Sequence, residues 1–185
     1  VETIITAITE DKGSLKNTLK GTATLTEELY EICSTINVRS AAGMYAISDL
    51  SQTEKTFKDK TIILEDNIEL DFDYKLIKTF SGVFDGKDYT ITLTKPDSYN
   101  YDNYFGGAIF NKITGENAKV IDLNVDGEAY IAGIAIHLEN DAVISNCTNS
   151  ANITSPNGDR VPGCGGIVGE LSNGGKIENC INKGK

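Results

Sequence analysis

The sequence predicts a mainly β chain: a right-handed parallel β-helix, or solenoid, with a short helical N-terminal cap. Three observations carry this expectation. The phrases "GAIFNKI", "AGIAIHL" and "GGIVGEL", starting at Gly107, Ala132 and Gly165, align without gaps. Ten or eleven residues after its key isoleucine, Ile109, Ile134 or Ile167, each is answered by a second phrase, "VIDL", "ISNC" or "IENC", starting at Val120, Ile144 and Ile177. Between the two lie "TGEN", "END" and "SNGG", which are turn chemistry. Two short strands and two polar bends in a unit of 25 to 33 residues are what one coil of a parallel β-helix requires.

The first element in chain order is a Thr/Lys-rich lead-in over residues 1–21, with an apolar "IITAI" that reads as a strand or extended segment. A helix is then expected from about Thr26 to Asn37. Thr24 and Glu27 have the spacing of a capping box. Leu25, Leu29, Ile32, Cys33 and Ile36 recur at three- and four-residue steps, which puts Cys33 on a buried stripe. "RSAAGMYAISDLSQ" reads as a loop or broken helix. "KTIILEDNIELD" alternates around Ile62, Leu64, Ile68 and Leu70, with a turn at Asp66-Asn67. "FSGVFDGKDYTITL" places Phe80, Val83 and Phe84 before the turn dipeptide Asp85-Gly86, and continues into Tyr89, Ile91 and Leu93. "KPDSYNYDNY" is a polar, Tyr-rich loop. The chain thus divides into a lead-in and helical cap over 1–60 and β-helix repeats over 61–185.

From Gly107 onward the repeats specify their own interior. Ile109, Ile134 and Ile167 fall at steps of 25 and 33 residues and should form one internal stack. Val120, Ile144 and Ile177 should line a second wall, Leu123, Cys147 and Cys180 a third, and Ile113, Leu138 and Leu171 a fourth. Each buried aliphatic contributes roughly 1.5–3 kcal/mol, so about four per coil offset much of the cost of ordering it. One coil alone cannot bury its apolar face. Asp122, Asn146 and Asn179 share a position and are expected at corners, because Asn and Asp tolerate left-handed backbone. The small pairs Ala132-Gly133 and Gly165-Gly166 let the backbone bend or approach a neighbouring coil.

Composition narrows the function classes. The net charge of −10 over 185 residues repels nucleic-acid phosphate and anionic membrane surfaces. No apolar run reaches the roughly 20 residues of a bilayer span. No basic segment leads into an apolar stretch, so any secretion signal is expected to have been removed. The four cysteines form no CxxC pair and are too sparse for a disulfide framework, and zinc-ligand spacing is absent. Cys147 and Cys180 would stack if their coils are adjacent, at a separation a disulfide could span; a ladder of buried thiols is the simpler reading. Cys164, beside Gly165, is expected to be more exposed.

Chemistry-bearing residues are few. His137, the sole histidine, sits between Ile136 and Leu138 and should point outward. Asp71 and Asp73 occupy alternate positions of an expected strand, and Asp85 and Asp88 flank a turn. A carboxylate pair about 5–10 Å apart could serve as acid and base in glycoside hydrolysis, but no basic clamp accompanies them. Calcium binding by Glu69, Asp71 or Asp73 lacks the Gly-interrupted loop of an EF-hand. Asn146-Cys147-Thr148 and Asn152-Ile153-Thr154 match the glycosylation pattern and read as turn-rich surface. Tyr99, Tyr101 and Tyr104 are the candidate contacts for a sugar or protein. No catalytic residue, metal site or cofactor is expected.

The segments "FSGVFDGKDYTITL", "AKVIDLNVDG", "GGIVGEL" and "IENCIN" resemble the Gly-Leu-rich β-helix repeats called GLUG motifs. The helix followed by "KTIILEDNIELD" is similar to the capping segment that precedes such repeats. The likeness covers about 24–185. This chain departs from the pattern at "GAIFNKI" and at "DYT", where the family often has a His. The resemblance implies a secreted or cell-surface bacterial protein, adhesin-like and without catalytic residues. Its expected partners are host or cell-wall glycan or protein, with further repeats or domains beyond Lys185. The alternative is a carbohydrate-active β-helix enzyme or carbohydrate-binding module acting on polysaccharide.

Overall fold

The computed structural model describes residues 27–97, 106–155 and 163–185. These residues form fifteen strands and two helices, and every strand pair is parallel. Helix α1 (Glu27–Ile32) is followed by β1 (Thr35–Val38), α2 (Ala41–Gln52), β2 (Thr61–Leu64), β3 (Ile68–Leu70), β4 (Val83–Asp85) and β5 (Thr90–Leu93). Then come β6 (Phe110–Thr114), β7 (Lys119–Ile121), β8 (Asn124–Ala129), β9 (Ala135–Glu139), β10 (Val143–Ser145), β11 (Thr148–Asn149) and β12 (Asn152–Ile153). The last three are β13 (Val168–Leu171), β14 (Lys176–Glu178) and β15 (Ile181–Asn182).

These strands make three sheets. The first has the order β1-β2-β4-β7-β10-β14, the second β3-β5-β8-β11-β15 with β12 beside β8, and the third β6-β9-β13. Bridges from Ile77 to Phe110 and from Phe80 to Ile113 extend the third sheet toward the N-terminal side. From β2 onward the chain visits first, second and third sheet in the same rotation. Neighbours within a sheet are therefore always one rotation apart in sequence.

Register places like residues over like. The first sheet carries Ile36, Ile62, Phe84, Val120, Ile144 and Ile177 in one column. Phe80, Ile113, Leu138 and Leu171 form a column in the third sheet. Ile109, Ile134 and Ile167 are linked by backbone hydrogen bonds, Ile109 N–H to the Ile134 carbonyl at 3.2 Å and Ile134 N–H to that of Ile167 at 3.1 Å. Leu123, Cys147 and Cys180 follow in line, since Thr148 N–H reaches the Leu123 carbonyl and Ile181 N–H that of Cys147, both at 2.9 Å. The columns expected over 107–185 are observed in register, although their last members Leu171 and Ile177 are exposed rather than interior.

The interior changes character along the sheets. Phe57, Phe80, Phe84 and Phe110 are fully buried. Their rings lie 5.2 to 6.4 Å apart in tilted or edge-on contacts, the geometry that ring quadrupoles favour. Beyond them the core is aliphatic, with Val120, Ile134, Leu138 and Ile144 all fully buried.

Corners obey the steric limits on backbone torsions. Asp122, Asn146 and Asn179, each between a first-sheet and a second-sheet strand, have φ of 52°, 55° and 52°. This left-handed region costs most residues roughly 1–2 kcal/mol, and Asn or Asp least among those with a side chain. At the preceding bend, from third to first sheet, Ala118, Ala142 and Gly175 each donate a backbone bond three residues back, to Gly115, Glu139 and Ser172. These are the "TGEN", "END" and "SNGG" turns.

The N-terminal part differs from expectation in two places. The helix expected to reach Asn37 ends at Ile32, and Thr35–Val38 instead pairs in register with Thr61–Leu64. Ile32 is half exposed, so the apolar spacing did not mark one continuous face. The β-branched Thr35, Ile36 and Val38 favour the pleated conformation, and Ile36 and Val38 are buried there. Parallel pairing thus starts ahead of the expected boundary at residue 61. The segment expected as a loop or broken helix is α2, an uninterrupted twelve-residue helix. Ser40 caps it by accepting from Gly43 N–H at 3.4 Å. Its buried face alternates aliphatics (Met44, Ile47, Leu50) with Ser48 and Ser51, which thins the apolar stripe in sequence.

Those serines have a use. Ser48 Oγ donates to the Lys75 carbonyl, Gln52 Nε2 to that of Leu76 at 3.0 Å, and Lys78 N–H donates to Ser51 Oγ at 2.9 Å. The helix covers backbone of 75–78 that would otherwise be an open edge. Phe84→Ala should lower unfolding free energy by about 3–5 kcal/mol. Chemical denaturation followed by far-UV circular dichroism checks this, and a loss under about 1 kcal/mol would contradict the shared aromatic core.

Candidate functional site

Tyr99, Tyr101 and Tyr104 lie outside the described residues. The chain on either side of them is described, and a single residue clamps both flanks. Tyr130, just after β8, donates its hydroxyl to the Pro96 carbonyl at 2.7 Å and its backbone N–H to the Gly106 carbonyl at 2.8 Å. Ile131 N–H adds a bond to Gly107 at 3.0 Å. Lys95 Nζ sits 5.3 Å from the centre of the Tyr130 ring and 3.6 Å from Glu128. Leu76, Ala108, Tyr130, Ile131, Ala132 and Ile136 form a small apolar cluster separate from the main core. The described residues on either side of the tyrosine segment, Pro96 and Gly106-Gly107, are therefore both tied to Tyr130 and Ile131.

Two of the four aspartates of the hydrolase alternative, Asp73 and Asp85, have side-chain partners elsewhere. The expectation that Asp71 and Asp73 share one strand is corrected, since β3 ends at Leu70 and both lie in the turn that follows. Asp73 accepts from the Tyr45 hydroxyl at 2.9 Å. Burial, reinforced by the Asp73 carboxylate, pushes that hydroxyl up to about 12. Asp85 is buried at the end of β4, accepting from Lys87 N–H at 3.0 Å and pairing with Lys87 Nζ at 2.8 Å. Asp88 has left-handed backbone, and its carbonyl accepts from Asn124 Nδ2 at 2.7 Å. Asp71 and Asp73 follow a second-sheet strand, whereas Asp85 and Asp88 bracket the corner from first to second sheet. They do not converge on one face. Among the described residues, no three His, Cys, Asp or Glu side chains gather as a metal-binding group.

His137 is part of a polar strip on the third sheet. Register aligns Lys112, His137 and Glu170 across β6, β9 and β13. His137 Nδ1 lies 3.3 Å from Glu170, and Lys112 Nζ 3.2 Å from Glu139. A surface ion pair such as Lys112–Glu139 contributes about 0–1 kcal/mol.

The cysteines form no disulfide. Cys33 is buried just beyond α1, where its N–H still bonds to Leu29. Cys147 and Cys180 repeat one geometry: each thiol points at the carbonyl two residues earlier, 3.2 Å away for Cys147 and 3.3 Å for Cys180. Cys180 Sγ also approaches Cys147 N–H at 3.5 Å. This is a thiol ladder continuing the Leu123 column. Cys164 is exposed.

One polar feature was missed in the sequence. Asn149 is fully buried within the second sheet. Its Nδ2 donates to Asn182 Oδ1 at 2.8 Å and to the Ala151 carbonyl at 3.2 Å, while its Oδ1 accepts from Ala151 N–H at 3.1 Å. Asn182 sits directly above in register. Gly133 and Gly166 back onto these two carboxamides, where a Cβ would collide with Asn149 or Asn182. That contact, more than flexibility, requires the glycines. The repeated signal was Asn two residues after Cys, in "NCTN" and "NCIN".

Burial pushes the Cys147 thiol up to about 12 from an ordinary 9.0. The folded chain keeps this proton where the unfolded chain releases it. Its contribution to stability is therefore full below about pH 9 and is lost as pH rises toward about 12. Urea midpoints measured at roughly pH 8 and roughly pH 10.5 should fall more for the parent than for Cys147→Val. Equal falls would contradict the assignment.

No protein-family model, no curated protein and no solved structure matches this chain.

Proposed function

We propose that this chain is a right-handed parallel β-helix module of the GLUG-motif type, secreted or displayed at a cell surface, that works without catalysis. It presents a rigid, acidic scaffold and binds host or cell-wall glycan or protein through the segment carrying Tyr99, Tyr101 and Tyr104. Successive rotations of a β-helix rise about 4.8 Å. The six strands of the first sheet would span about 24 Å. Right-handed winding is the hand that parallel crossovers adopt almost without exception.

The observation that carries the proposal is the repeated rotation through three parallel sheets with inward columns of matched residues. Supporting it, Asp73 is held in a tyrosine contact and Asp85 in an ion pair, and the four aspartates of the hydrolase alternative divide between two different corners of the rotation. The tyrosine segment is held at both flanks by Tyr130, which makes it a suitable place for recognition. Aromatic side chains give large contact areas at low conformational-entropy cost.

Two measurements test the reading. Purified protein on glycan and matrix-protein arrays should bind a ligand, and Tyr99→Ala combined with Tyr101→Ala and Tyr104→Ala should weaken it at least about tenfold at unchanged Tm. Binding unaffected by these changes would remove the tyrosines from the site, and turnover of any polysaccharide would overturn the non-catalytic assignment. Antibody labelling of intact cells should detect the protein, and labelling only after lysis would exclude the surface role.

A further inference from the structure

One corner of the rotation is written twice with a cysteine in the same place, as "SNCT" over 145–148 and "ENCI" over 178–181. Both ends of this corner are paired in parallel register, Ser145 with Glu178 and Thr148 with Ile181. Between them Asn146 and Asn179 turn the backbone with φ of 55° and 52°. Two backbone bonds tie the corners together, Asn146 N–H to the Glu178 carbonyl at 3.0 Å and Ile181 N–H to that of Cys147 at 2.9 Å. Cys147 and Cys180 are therefore held one strand spacing apart, about 4.8 Å between backbones. A disulfide needs Cα atoms about 4.4–6.8 Å apart and side chains that share a side. Both cysteines pack with the main core, so they meet that second condition too.

The thiols stand one side-chain rotation from such a bond. Each Sγ lies against the carbonyl two residues earlier, 3.2 Å from that of Ser145 and 3.3 Å from that of Glu178. Cys180 Sγ also reaches back across the gap, 3.5 Å from Cys147 N and 3.6 Å from the Ile144 carbonyl. It thus sits over the backbone of Cys147 itself. A turn of the Cys147 side chain about Cα–Cβ, from one staggered well to another, is the movement that brings the second sulfur toward it. What is given up is the contact of Cys147 Sγ with the Ser145 carbonyl, and a thiol is a weak donor.

All four cysteines are described, and no other two are placed for a bond. Cys33 lies just ahead of β1, and β2, β4 and β7 stand between that strand and β10 in the first sheet. Four spacings of about 4.8 Å put the two strands roughly 19 Å apart. Cys164 Sγ is 4.0 Å from the Tyr130 carbonyl, at the corner between second and third sheet. Cys147 and Cys180 occupy the corner between first and second.

We infer that Cys147 and Cys180 are a redox pair whose disulfide staples two neighbouring rotations in an oxidising compartment, the thiol ladder being its reduced form. One cysteine thiolate attacks a small-molecule disulfide such as glutathione disulfide, forming a mixed disulfide and expelling one thiolate. The other cysteine thiolate then attacks the protein sulfur of that mixed disulfide and expels the second. The two cysteines lose two electrons and two protons, and the oxidant is reduced to two thiols. The bond closes a loop over a 33-residue step that contains the long link from Ile153 to Val168. Closure restricts the unfolded chain while the ladder bonds of the folded one stay in place. The inference draws on the proposed secreted placement only for its oxidant.

The experiment treats the full chain, freshly reduced and folded, with glutathione disulfide. Remaining thiols are then alkylated in denaturant and the peptides mapped without reduction. Two of the four cysteines should escape alkylation and be recovered as one peptide pair joining Cys147 to Cys180. Tm of the oxidised chain should exceed that of the reduced chain by about 5 °C or more. Cys180→Ala and Cys147→Val should each abolish this oxidation-dependent rise, and Cys164→Ser should keep it. The unsubstituted chain carries the test by itself where a core variant does not fold. Four alkylated thiols, mixed disulfides that never resolve, or a folded chain linked through Cys33 or Cys164 would overturn the pair. A Cys147–Cys180 link with unchanged or lower Tm would overturn the staple. None of these readouts involves the tyrosine segment or cell labelling, so failure of the surface reading and failure of this inference are told apart.

Discussion

No rotation of this chain has a core of its own. A set of three short strands turns one row of apolar side chains inward, and that row becomes dry only when the rows before and after lie upon it. Stability is therefore a property of neighbours, set by whether an isoleucine, leucine or phenylalanine falls over its counterpart. A slip of one residue in any strand would swap inward for outward side chains along that strand and break the columns on both sides. The corners enforce the register, since Asp122, Asn146 and Asn179 turn the backbone at the same point each time.

Two devices handle the cost of starting and continuing such a stack. At one end α2 gives its serine and glutamine groups to the backbone of 75–78 and buries Met44, Ile47 and Leu50 behind them. Along the second sheet the interior changes from aliphatic residues at Ile68, Ile91 and Val125 to carboxamides at Asn149 and Asn182. Buried amides hold only when every bond is made, so this change exchanges tolerance for positional specificity.

How much could be read in advance varied with how literally the chain repeats itself. Over 107–185 the apolar words recur almost unchanged, so the columns, corners and turns were legible. Over 35–93 the same rotation is written in different residues, with phenylalanines inside, and no self-similarity shows. Helix α2 was obscured by serines on its buried face, and α1 was drawn too long because Ile36 chanced to fall at a helical spacing. Asp71 and Asp73 alternate as a strand would, but the backbone leaves the sheet at Leu70. Asn149 was missed because asparagine in a turn-rich phrase reads as surface, and only its place behind Gly133 makes it interior.

The connections between second and third sheet have their own consequence. Only six residues join Leu70 to Ile77 and five join Ala129 to Ala135, whereas the links from Leu93 to Phe110 and from Ile153 to Val168 are far longer. Both long links leave from the same corner of the rotation and return to strands held in register by their neighbours. The inward columns draw no residue from 97–105 or 156–163, so those parts of the two links are free to diversify under selection while the remainder of the scaffold stays fixed.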